Sequence, residues 1–260
     1  SLGAAGVKWI SGYPGNQAKG LPYITGLLIL NDPETGVPTA IMDATWLTAQ
    51  RTGAATAVAA RHLARPNSST AGIIACGVQG RSNLEALACV FSLEKVWAYD
   101  RNREVAETFA TDMSAALDVQ VEVVTEPRAA VVDADLVVTS GPILKAPTPV
   151  IDTDWLAPGA FASPVDFDSY WTGGALRQAD KLATDDIAQF EHYREAGYFS
   201  DTPAPYADLG QIVAGHQRGR EREDERTIAI NLGLALEDMA TAMPIYERAI
   251  ELGIGTRLPL

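Results

Sequence analysis

The chain opens on stretches in which apolar and polar positions alternate or run apolar without a break. VKWISGYPG and LPYITGLLILND are each bounded by Gly, Pro or Asn, and both read as strands. NDPETGVPTAIMD adds a turn, formed by Asn31-Asp32-Pro33 and Thr35-Gly36, and then a third strand. The first 43 residues therefore predict a small, mostly antiparallel sheet. The period then changes. TWLTAQRTGAATAVAARHLARP is rich in alanine, has no internal proline before its end, and predicts a long helix stopped by Pro66. Its small residues Gly53, Ala54, Ala55, Ala57 and Ala59 would let another backbone pass close. From residue 70 strands and helices alternate. AGIIAC, KVWAYD, VQVEVV and LVVTSG read as strands. RSNLEALACVFS, with apolar spacing at Leu84, Leu87 and Val90, NREVAETFATDMSAAL and the short EPRAAVVDA read as helices. GAFASPVD and DKLATDD read as two more strands. This alternation predicts a parallel sheet covered on both faces. Segment 191–225 reads as helices and loops, and the tail from TIAINLG onward as a helix to about Leu252 that stops at Gly253.

Composition narrows the class. The 260 residues suit one large or two small domains, and 47% of them are hydrophobic, enough for a sizeable core. A net charge of -13 leaves no basic stripe of the kind that holds nucleic acid. Two cysteines, Cys76 and Cys89, make no disulfide framework and no metal-ligand spacing, so a reducing, cytoplasmic setting is expected. No apolar run reaches membrane-spanning length, and the opening residues do not read as a signal peptide, so none is expected. The three histidines, His62, His192 and His216, have no partner spacing and read as surface or packing residues.

The stretch GIIACGVQGR carries the first chemistry. A strand, a glycine turn and a helix present backbone N–H groups to a pyrophosphate. Gly77 lets the backbone approach the phosphates, with Val78 and Gln79 beside it, and Gly80 permits close packing of helix on strand. Ala75 stands where the fingerprint has its first glycine. Asp100 ends the next strand, where a carboxylate can accept from both ribose hydroxyls, and this favours NAD over NADP. Arg101 and Arg103 follow; they read as a solvated loop, or else as the receiver of a 2′-phosphate, and Arg101 is kept with the cofactor set. Thr139, Ser140 and Gly141 end a later strand and are expected to line the cofactor crevice. Arg51 sits in a helix otherwise made of small and apolar residues, with no acid three or four positions away. A guanidinium so placed can clamp a carboxylate. Thr52 is expected to touch the cofactor phosphates.

The order of pieces GVKWISGYPGN, GLPYITGLLILNDPETGVPTAIMDATWLTAQRTGAATAVAARHLAR, GIIACGVQG and GLALEDMATAMPIYERA resembles the ornithine cyclodeaminase/μ-crystallin family over nearly the whole chain. The LTAQRTGAA helix and the G-x-Q-G form of the nucleotide turn are the most specific parts. The resemblance implies an α/β fold in which a Rossmann-type parallel-sheet domain is inserted into a smaller α+β domain for substrate binding and dimerisation. The expected boundaries are 1–53 with 229–260 for the smaller domain and 54–228 for the NAD-binding domain. Family members carry more residues before GVKW, so an N-terminally shortened chain is expected.

The resemblance also implies an activity: NAD-dependent transfer at the α-carbon of a small L-amino acid or its imine, by an amino-acid dehydrogenase or imine reductase. Alternatives are an ornithine cyclodeaminase-type ammonia lyase that recycles NAD, and a crystallin-like protein that binds dinucleotide and ligand without turnover. By family position Lys8 looks like a substrate-contacting lysine that trades protons, and Asp168 like the acid that exchanges a proton with the amine or imine. Asp166, where the family usually has glycine, is the fallback acid. Both are expected on one strand, pointing the same way, with Tyr170 and Trp171 near a divergent substrate pocket. Asp238 reads as a capping or pairing residue. The expected partners are a small amino-acid or imine substrate and a second copy of the chain.

Overall fold

The computed structural model describes residues 3–259 and divides into two compact units, residues 1–51 with 234–260, and residues 52–233. Ser1, Leu2 and Leu260 lie outside the described residues.

In the smaller unit, β1 (Ala5–Gly12), β2 (Ile24–Asn31) and β3 (Pro38–Asp43) form an antiparallel sheet in the order β1-β2-β3. The β2–β3 turn is held by Asp32, whose Oδ1 accepts from the Thr35 backbone N–H at 2.7 Å. Along β2 the side chains alternate: Leu28 and Leu30 are buried, while Leu27 is exposed. The buried pair packs with Ala44, Leu47, Met239 and Ala242 in a single cluster. The last two come from the amphipathic helix α7 (Ala235–Glu251), and Leu47 from α1 (Thr45–Leu63), which runs on into the larger unit.

The larger unit is an eight-stranded parallel sheet. It contains β4 (Thr70–Ile74), β5 (Lys95–Tyr99), β6 (Gln120–Val123), β7 (Leu136–Thr139) and β8 (Phe161–Pro164). It is completed by β9 (Lys181–Thr184), β10 (Ala207–Asp208) and β11 (Thr227–Ile230), in the order β10-β9-β11-β8-β7-β4-β5-β6. Its helices are α2 (Val78–Ala88), α3 (Arg103–Leu117), α4 (Gly173–Arg177), α5 (Ile187–Glu195) and α6 (Leu209–Val213). β7, β8, β9 and β11 are buried along their whole length, as strands covered on both faces must be. Leu84, Leu87 and Phe109 of α2 and α3 belong to one apolar cluster and Phe190 of α5 to another. Strand order reverses between β4 and β7, so the crevice beyond their carboxyl ends is where a ligand belongs in such a sheet.

One element departs from the sequence reading. Thr227–Ile230 is not the start of the closing helix but β11, paired on both sides with β8 and β9. Four residues are too few to show a period, and the helix does not begin until Ala235. The short helix expected at EPRAAVVDA is a single 3-10 turn, Pro127–Ala130.

Candidate functional site

The glycine turn sits at the strand-order reversal, between β4 and α2. Ala75 adopts φ +72°, the left-handed region that the fingerprint fills with glycine. Gly77 is the N-cap of α2, and no side chain caps the helix. A Cβ on Gly77 would meet nothing within 4 Å, so the space over the helix N-terminus is open. A Cβ on Gly80 would stand 2.5 Å from the Ala75 carbonyl oxygen, so helix and turn are in contact there. Val78 is exposed and Gln79 half-buried. An open, uncapped helix N-terminus behind a glycine turn is the arrangement that receives a pyrophosphate. Asp100 directly follows β5 and braces the turn: Oδ2 accepts from the Cys76 N–H at 2.9 Å and Oδ1 from the Asn102 N–H at 2.8 Å. Each oxygen keeps a lone pair for a ribose hydroxyl. Arg101 is exposed, and Arg103 pairs with Glu107 on its own helix. Thr52 is half-buried on α1. The residues present fit a dinucleotide.

At the end of β7 the three expected lining residues differ. Thr139 is fully buried, and its hydroxyl donates to Asp166 Oδ1 at 2.6 Å. Its side chain therefore supports the crevice wall from behind and does not line it. Ser140 is half-buried and donates to the Ala75 carbonyl at 2.8 Å. Gly141 donates its N–H to Asp166 Oδ2 at 2.8 Å.

Asp166 and Asp168 are not on a strand. β8 ends at Pro164 and both acids lie in the turn that follows, with Phe167 between them at φ +63°. A bulky residue in that region is strained, and the surrounding aromatic packing of Tyr193, Tyr198 and Phe199 holds it there. The two carboxyls consequently have separate partners. Asp166 is wholly buried, and burial pushes its carboxyl up to about 7. Asp168 Oδ2 accepts from Thr202 at 3.3 Å, while Oδ1 is buried with no hydrogen-bond partner. Burial raises this carboxyl too.

In the smaller unit Lys8 of β1 donates to Asp238 Oδ1 at 2.6 Å. Arg51 Nη1 donates to Glu237 Oε2 at 3.1 Å, and its Nε lies 3.3 Å from Asp238 Oδ1. Both acids stand in the first turn of α7, where they also complement the helix dipole. The acids facing Arg51 thus come from a distant helix. Burial lowers the Lys8 ammonium from its ordinary value, and the bond to Asp238 opposes that.

One residue escaped the sequence reading. Asn231 follows β11 directly, and both its Oδ1 and Nδ2 are buried without a partner. Asp185, at the end of β9, accepts from the backbone N–H groups of Leu232 and Gly233 at 2.8 and 2.6 Å and so fixes this strand end. A buried amide with neither end satisfied is suited to a ligand that both donates and accepts. The signal was present as a polar residue closing an apolar run, and it became readable once TIAI was seen as a strand.

A parallel sheet reversing beside β4, an uncapped α2 and an acid directly after β5 define a Rossmann-type dinucleotide-binding protein. More narrowly, the chain belongs to the ornithine cyclodeaminase/mu-crystallin family, whose model matches residues 1–253. It is 36% identical to the alanine dehydrogenase of Archaeoglobus fulgidus, over 99% of this chain and 80% of that one. Among solved structures it resembles the Δ1-pyrroline-2-carboxylate reductase of Thermococcus litoralis in complex with NADH and L-proline. That match has a TM-score of 0.88 and 35% identity, and covers 99% of this chain and 81% of the other. An archaeal alanine dehydrogenase dimer with bound NAD matches with a TM-score of 0.87 and 34% identity, over 99% and 81% of the two chains. No helix among the described residues is long and apolar enough to cross a membrane.

Proposed function

We propose that the protein oxidises a small L-amino acid at its α-carbon, or reduces the corresponding imine, with Asp168 as the proton-exchanging acid and Lys8 and Arg51 as the carboxylate receivers. NAD, when bound, supplies the two-electron acceptor or donor for that carbon. One observation carries the reading: Asp168 Oδ1, at the carboxyl end of β8, is a buried carboxyl oxygen with no partner in the protein. Leaving such an atom unsatisfied costs about 1–3 kcal/mol, and a substrate nitrogen that shares a proton with it would recover that cost. Its raised proton affinity brings the protonated form closer to neutral pH, where it can give a proton to an imine nitrogen and take one from an ammonium. Lys8 and Arg51 are balanced by Asp238 and Glu237 before substrate arrives. A substrate carboxylate shares that positive charge, and the planar guanidinium can take it in bidentate fashion. Similarity to an alanine dehydrogenase and to a pyrroline-carboxylate reductase supports the substrate class. The working form we propose is a homodimer; the resemblance to the archaeal dimer supports it.

The test is a paired assay. The protein meets NAD with a panel of L-amino acids that includes alanine, ornithine and proline, and NADH with cyclic imines, while NADH and ammonia are both followed. NADH rising with ammonia identifies a dehydrogenase. NADH without ammonia identifies oxidation of a ring amine, and NADH loss with a cyclic imine its reverse. Ammonia without net NADH identifies a cyclodeaminase. No change in either quantity with any compound would overturn the reading.

A further inference from the structure

We propose that Asp166 is a positioning residue for the nucleotide site: its carboxylate fixes Thr139 and Gly141, and through Ser140 between them it holds the glycine turn in its ligand-receiving shape. The inference rests on the dinucleotide reading above and assigns a role to a residue that the reaction itself leaves unused.

With Asp166 in its carboxylate form the hydrogen-bond directions are fixed. Trp171 Nε1 lies 3.0 Å from Thr139 Oγ1, and an indole N–H only donates. The Thr139 oxygen therefore accepts there and gives its own proton to Asp166 Oδ1, 2.6 Å away. Asp166 Oδ2 accepts from the Gly141 N–H at 2.8 Å. Both carboxylate oxygens act as acceptors, one on each side of Ser140. Ser140 in turn donates its backbone N–H to the Ile74 carbonyl at 3.0 Å and its hydroxyl to the Ala75 carbonyl at 2.8 Å. Ala75 is the residue held at φ +72° in the turn, a conformation that a non-glycine residue keeps only when its surroundings impose it. The Tyr170 ring closes the other side of Gly141: a Cβ there would stand 2.6 Å from the ring. The contacts thus run from Trp171 to Thr139 to Asp166 to Gly141, and from Ser140 to the nucleotide turn. Asp166 has no exposed surface, so it acts through these groups and not on a substrate. A buried carboxyl is costly unless its hydrogen bonds are made, and here both of its oxygens have donors.

Asp166→Asn keeps the size and can still accept from the Gly141 N–H, but its amide nitrogen faces Thr139 as a donor, so the Thr139 proton loses its charged acceptor. Titration of the protein with NADH, followed by nucleotide fluorescence, should show the dissociation constant raised about tenfold, the effect of one lost charge-assisted bond. Thr139→Val removes the linking hydroxyl, leaves Asp166 in place and should weaken NADH in the same direction. It carries the test if Asp166→Asn fails to fold. Thr139→Ser restores the hydroxyl and should bind as wild type does. Wild type that binds NADH, with Asp166→Asn and Thr139→Val binding equally well, overturns this inference and leaves the dinucleotide reading standing. Thr139→Ser as weak as Thr139→Val overturns it as well, because the hydroxyl would then not be the link. Wild type that does not bind NADH overturns the dinucleotide reading and this inference with it.

Discussion

Between Asp166 and Asp168 the backbone of Phe167 turns through the left-handed region and sends the two carboxyls to different partners. Asp168 keeps a free buried oxygen. Asp168→Ala should therefore lower kcat by about 10²–10⁴, the usual contribution of a general acid–base group, and leave NADH affinity within about twofold of wild type. Steady-state rates alongside an NADH titration check this; a variant that retains wild-type turnover would show the acid to be elsewhere. Asp166 gives a stability prediction instead. Burial lifts it to about 7, the Thr139 and Gly141 donors pull the other way, and neighbouring Asp168 adds to the rise. In the unfolded chain an aspartate titrates near 3.9. Between those values the folded chain holds a proton that the unfolded chain has lost, so stability falls as pH rises through the window. Asp166→Asn lacks that ionisation. In urea unfolding at about pH 5 and about pH 8, its stability relative to wild type should be higher at the upper pH. A constant difference would mean that Asp166 does not titrate in this range.

At the scale of elements, two small residues set the packing around the nucleotide turn. Ala75 in the left-handed region costs about 1–2 kcal/mol, whereas glycine there costs backbone entropy of about 0.5–1 kcal/mol. Ala75→Gly should therefore raise stability by roughly 0.5 kcal/mol, seen as a higher urea midpoint; a lower midpoint would contradict the strain. Gly53 of α1 faces the backbone of α2, and a Cβ there would collide with the Ser82 carbonyl oxygen. Because backbone cannot swing aside as a side chain does, Gly53→Ala should destabilise by about 1–3 kcal/mol. The same contact shows what the sequence could reveal. The run of small residues in α1 announced a close approach because spacing within one helix is local information. The glycine turn and Asp100 were readable for the same reason. β11 was not, since TIAI merges with the apolar pattern of α7 and four residues carry no period. Asn231 stayed hidden with it. The partners of Arg51 were out of reach of any local rule, because Glu237 lies 186 positions along the chain while helix spacing finds only neighbours three or four apart.

At the scale of the whole molecule, the three-stranded sheet leaves one face to be explained. Its inner face is filled by Leu28 and Leu30 against α1 and α7. The register places Val7, Trp9, Leu27 and Ile41 on the opposite face, and they are 57%, 76%, 56% and 63% exposed. Single exposed apolar residues are ordinary, but a cross-strand group that includes a tryptophan is the signature of an interface. A net charge of -13 would keep copies apart unless such a face drew them together. Trp9 and Leu27 are direct cross-strand neighbours, so replacing both with glutamate puts two like charges in the middle of the patch. Their side chains are solvent-facing in the single chain, and the double variant should fold with stability changed by no more than about 0.5 kcal/mol per site. Sedimentation should then show wild type as a dimer and the Trp9→Glu, Leu27→Glu variant as a folded monomer. A wild type that sediments as a monomer across micromolar concentrations would remove the homodimer from the reading. A double variant that stays dimeric would move the interface to another face.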